Sequence, residues 1–156
     1  MTLYRRWPDV RALVGDVMTR EWVGVALEAA PEADRSRPVR EQLVAGLVAG
    51  VQAFREHLLL RKILDVDPEM LLPYMLDRRG ASQDALLEFI ADTLCQGHAD
   101  GSIRADHVVR QARTVLLVVQ SFALSLQTMT DTTDPDLSTA AFRHELRHIL
   151  ERTLTP

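Results

Sequence analysis

The chain has 156 residues, 47% apolar and 26% charged, with a net charge of −4; that describes one ordinary globular domain and argues against disorder. No apolar run reaches the ~18 residues of a membrane span, and no apolar stretch follows the N-terminal arginines as a signal peptide requires. Cys95 is the lone cysteine, which excludes a disulfide framework or a cysteine-rich zinc site and suits a cytoplasmic protein. The charge is uneven. Residues 1–11 carry three arginines (Arg5, Arg6, Arg11) against Asp9, a net of +2, while the other 15 basic and 21 acidic residues give −6. The body is therefore a poor nucleic-acid surface, and only the first turns favour phosphate.

Strand signals are nearly absent and helix punctuation recurs throughout. Trp7-Pro8-Asp9 opens a long helix carrying Leu13, Val14, Val17, Val25 and Ala26, which ends at Pro31. Ser36 or Asp34 caps a second helix, Pro38 to Arg55, with Leu43, Leu47, Val51 and Phe54 on one side. Its Gly46 and Gly50 mark a close helix approach or room for a ligand. A short helix covers Leu58 to Val66. Asp67-Pro68-Glu69 starts another, with Met70, Leu71, Tyr74 and Met75 as its apolar face and Gly80 as its end. Ser82 caps a helix through Leu94 that Gly97 ends, and Asp100-Gly101 turns the chain. Asp106 starts a long helix to about Thr130, and the last runs from Leu137 to Leu154. The expected fold is all-α, about seven helices.

Thr114 to Leu126 is apolar nearly all round, and such a helix needs cover on both sides. The last helix adds Phe142, Leu146, Ile149 and Leu150 at helical spacing. Together they predict a two-fold homodimer seam through Val115, Val119, Phe142, Leu146, Ile149 and Leu150. His144-Glu145-Leu146-Arg147-His148 satisfies H-E-x-x-H, the zinc-protease pattern of two histidines and a glutamate base. No third ligand follows clearly beyond Glu151, so a solvated or interfacial face is the reading, with a zinc enzyme as rival. Cys95 is expected as a small buried hydrophobe and His98 as a last-turn residue. Neither a metal nor a cofactor is expected.

Residues 2–13, TLYRRWPDVRAL, resemble the end of the DNA-binding unit of TetR-family transcriptional regulators. Thr2, Leu3 and Tyr4 match the close of the family's recognition helix, Trp7 stands for its phenylalanine, and Pro8 and Leu13 fit the next helix. Val10 replaces the usual lysine, with Arg11 beside it. The stretches His57-Leu58 to Asp67-Pro68-Glu69-Met70-Leu71 and Gly97 to Arg104 keep the family's rhythm, so the resemblance covers essentially the whole chain.

The resemblance implies a recognition-helix remnant over residues 1–7 and a ligand-binding and dimerisation domain over 8–156. It implies phosphate contacts from Thr2 and Tyr4, with Arg5 and Arg11 nearby; such contacts position a protein but do not specify sequence. The family carries roughly 40 residues before this junction, the first helices of a helix-turn-helix; this chain has three before Tyr4. It is therefore expected to bind operator DNA only with those helices present. Either Met1 is not the natural start of a ligand-responsive repressor, or the chain is a headless helical dimer serving as an interaction or binding module. The resemblance also implies a pocket for a small hydrophobic effector. Its expected lining is Trp22, Leu47, Phe54, Met70, Tyr74, Met75, Phe89, Gln120 and Phe122, with Tyr74 and Gln120 as the polar groups.

Overall fold

The computed structural model describes residues 10–29 and 36–156, and in the first helix the side chains of residues 13–25. The remnant over residues 1–7, with Thr2, Tyr4 and Arg5, lies outside the described residues, as do the Arg11 side chain and Asp34. Seven α-helices and no strands occur among the described residues: α1 Val10–Ala29, α2 Val39–Glu56, α3 Leu58–Val66, α4 Leu72–Leu76, α5 Ala81–Ala99, α6 Val108–Ser125 and α7 Thr139–Leu154. The fold is all-α, as the periodicity predicts.

The central helix is α2, which packs against α1, α5, α6 and α7. Its Leu43, Val44, Leu47, Val48 and Val51 recur at i, i+4 and i+8 spacing and enter the main core. They meet Ile90 and Leu94 of α5, Val115, Leu116 and Val119 of α6, and Leu146, Leu150 and Leu154 of α7. A second, smaller cluster joins Met18 of α1 to Leu60 and Ile63 of α3 and to Leu71. Val14, Trp22, Phe54, Met70 and Leu124 pack around it.

Several helix ends differ from expectation for local reasons. Pro38, not Ser36, holds the N-cap position of α2, and a proline side chain supplies no cap hydrogen bond. The first free N–H groups are satisfied from the α5–α6 turn instead. Val39 N–H donates to Asp100 Oδ2 at 3.2 Å, and Arg40 N–H donates to Ser102 Oγ at 3.1 Å. That turn needs a left-handed residue, which Gly101 supplies at φ 74°. The Ser102 hydroxyl and N–H, then the Val39 N–H, hold the Asp100 carboxyl below its ordinary range. Pro73 breaks the helix expected from Asp67 to Gly80 into a 3-10 turn, Pro68–Leu71, and the five-residue α4. Gly80 is the N-cap of α5 rather than the end of that helix, and Ser82 lies inside α5.

Gly97 does not end α5 either. It is buried within the helix and faces Ile103, so close that an added Cβ would meet Ile103 Cδ1 at 2.3 Å. Gly50 has open space where a Cβ would sit, so no close helix approach explains it. Gln111 is the buried polar residue of the described region. Its amide meets His98 Nε2 at 2.9 Å and donates to the Arg104 carbonyl at 3.3 Å. Arg104 Nε in turn donates to the Thr153 carbonyl at 2.6 Å, tying the α5–α6 turn to α7. Buried polar groups need such partners.

Candidate functional site

The second cluster forms where α2 stops. Helix α2 ends at Glu56 because His57 takes an extended backbone, φ −67° and ψ 128°. The His57 ring then caps α3, its Nδ1 accepting from Leu59 N–H at 3.3 Å. The two helices meet with a bend of 53°. Helix α1 lies along this corner. Its Glu21 Oε2 is 3.5 Å from His57 Nε2. Its Trp22 ring meets Phe54, centroids 5.0 Å apart and planes tilted 58°, a favourable aromatic geometry. Trp22 Nε1 is buried without an acceptor. An unpaired buried donor costs about 1–3 kcal/mol, and a ligand acceptor placed there would recover it. An open groove of about 610 Å³ runs beside the corner, lined by Glu21, Ala53, Glu56, His57, Leu58 and Leu59.

Trp22, Phe54 and Met70 are thus brought together around Met18, Leu60, Ile63 and Leu71. The other expected lining residues are not. Leu47 is in the main core and Phe122 packs against it. Met75 is 45% exposed and Phe89 50% exposed, so neither lines an enclosed site. Gln120 Oε1 accepts from Gln83 Nε2 at 3.0 Å, and Gln83 Nε2 also approaches the Tyr74 carbonyl at 3.2 Å. Gln83 therefore links α4, α5 and α6. Tyr74 reaches α1, where a Cβ on Gly15 would stand 3.2 Å from its hydroxyl. Sequence reasoning missed Met18, although Val14, Met18 and Trp22 share one helical face, and it missed Gln83.

The expected seam needs correction. Val115 and Leu146 are each 1% exposed, and Val119 and Leu150 are also buried. The main core of the chain itself takes them up, so they are not available to form an exposed seam. Phe142 and Ile149 are half-buried at the edge of α7. On α6 the outward apolar side chains are Val109 and Leu117, the latter 69% exposed, among Arg110, Arg113, Thr114 and Ser121.

His144, Glu145 and His148 are exposed on α7, and no group of three potential metal ligands occurs among the described residues. Cys95 is exposed, not buried; α5 turns it away from the core that Leu94 enters. His98 is committed to Gln111, and the nearby Asp100 to the first turn of α2. No single helix among the described residues is long and apolar enough to cross a membrane.

Three curated proteins resemble this chain at 34% identity over 149 residues, covering 96% of the chain and 74% of each relative. One is from Mycobacterium bovis and two are from strains of Mycobacterium tuberculosis; each is named an uncharacterized HTH-type transcriptional regulator. No family model matches the chain, and no solved structure matches it. The chain belongs to this family of HTH-type transcriptional regulators, and its role is in the regulation of transcription.

Proposed function

We propose that this chain is the effector-binding and dimerisation part of a TetR-like, ligand-responsive repressor, which reads operator DNA through helix-turn-helix heads joined ahead of α1. The observation that carries the reading is the separate anchoring of α1. Among the described side chains of α1, the buried Met18 enters the small cluster and not the main core. That cluster is bounded by an aromatic pair, methionines and an unpaired indole N–H. Such side chains re-pack readily around an apolar ligand. An effector that binds one packing better than the other shifts α1, and with it the heads, by no more than its differential affinity. The effector class is a small, mostly apolar molecule with one hydrogen-bond acceptor for Trp22 Nε1.

Two copies would meet through α6 and α7, with Leu117, Phe142 and Ile149 as the apolar contacts. Trp22 reports the site directly. With Trp7→Phe, Trp22 is the only indole. Titration with the apolar dye anilinonaphthalene sulfonate should quench its emission saturably, and Phe54→Ala should weaken that response several-fold. Dye binding that leaves Trp22 emission unchanged contradicts the assignment.

A further inference from the structure

A second site lies at the opposite end of α2. Its first turn and the outer face of α7 enclose a polar cleft of about 260 Å³, lined by Arg37, Arg40, Glu41, Arg147 and Glu151. The charges are not paired off. Arg37 takes Glu41, with Nη2 3.3 Å from Oε2. Arg40 Nη1 donates to the neutral Thr155 hydroxyl at 2.7 Å, and its Nε is buried with no acceptor. Arg147 is half-buried and has neither ion pair nor hydrogen bond through its side chain among the described residues, and the same holds for Glu151. Two guanidinium groups from different helices therefore share one small cleft without a carboxylate partner. The backbone of α2 is not what recruits a ligand, because Asp100, Ser102 and the Pro38 carbonyl already satisfy its first N–H groups.

We propose that this cleft binds a small oxyanion, a carboxylate or phosphate group held between Arg40 and Arg147, at a site distinct from the apolar effector cluster. A guanidinium fork can donate two parallel N–H bonds to the oxygens of either group, the planar carboxylate or the tetrahedral phosphate. Glu151 sets a limit: its carboxylate in the same cleft weakens the hold on an oxyanion without abolishing it. Bound there, the oxyanion would bridge α2 to α7.

The test is thermal unfolding of the whole chain titrated with inorganic phosphate and, separately, with succinate, against sodium chloride at matched ionic strength. A saturable rise in Tm with phosphate, succinate or both supports the site, and the stronger arm identifies the group. Arg147→Gln should weaken that response about tenfold or more, with unchanged helical circular dichroism. Glu151→Gln should strengthen it several-fold, because the repulsion is gone. Responses no larger than chloride's, or equal responses from wild type and both variants, overturn the proposal.

Discussion

Substituting Gly97 by alanine sets helix propensity against packing, and the structure decides which wins. Alanine gains about 1 kcal/mol over glycine inside a helix. The new Cβ, however, would lie 2.3 Å from Ile103 Cδ1, 2.5 Å from Cγ1 and 3.0 Å from Cβ. The first gap is about 1.2 Å short of the ~3.5 Å at which carbon atoms attract. Ile103 cannot simply swing away, because a β-branched side chain is stiff at χ1 and this one is buried in the main core. The backbone is held too, since Ile103 N–H donates to the Gly97 carbonyl at 2.9 Å. Overpacking a core costs about 1–3 kcal/mol. Near the upper end of that range, Gly97→Ala loses about 1–2 kcal/mol net, and Tm falls by about 2–8 °C. Urea denaturation followed at 222 nm measures it. Ile103→Ala alone should cost about 2–5 kcal/mol, and the double variant should cost clearly less than the sum. A Gly97→Ala protein as stable as wild type, or more so, refutes the packing argument.

Acid should loosen the α5–α6 turn. The folded pKa of Asp100 is lowered, so its contribution is complete above the ordinary carboxylate value of about 3.9 and fades as pH falls through the lowered one. Asp106 behaves alike, held low by the His107 N–H first and then by Arg104 and Arg110. Asp100→Ala should lower Tm at pH 7 and flatten the fall of Tm below about pH 4; an unchanged acid limb contradicts this. Leu117→Arg or Phe142→Arg should give folded monomers in sedimentation, because a buried unpaired charge costs several kcal/mol at an interface. Leu146→Arg should unfold the protomer itself, since that side chain lies in the main core. Folded dimers from Leu117→Arg and Phe142→Arg would place the seam elsewhere.

Helix number and order are legible because apolar spacing and proline or glycine punctuation are local. The long-range supports are not. The capping of α2 by Asp100 and Ser102 joins residues more than sixty positions apart, and only the fold brings them together. Gly97 looks like a helix end in sequence, yet it is a helix-interior contact dictated by Ile103. The apolar run of α6 suggests a seam because composition cannot say how many sides one protomer covers; here most of the run faces inward. In the candidate site Trp22, Phe54 and Met70 could be chosen on residue type. Met75 and Phe89 carry the same chemistry but point outward, and type alone cannot separate them.

If the proposed effector site is correct, a ligand at the second cluster controls the packing of α1. Hydrogen–deuterium exchange across the chain, with and without saturating anilinonaphthalene sulfonate, tests it most directly. Protection should change chiefly over residues 14–25 of α1 and at the α2–α3 corner, with the α6–α7 core little altered. Protection that changes only on α6 and α7, with α1 unmoved, would contradict it.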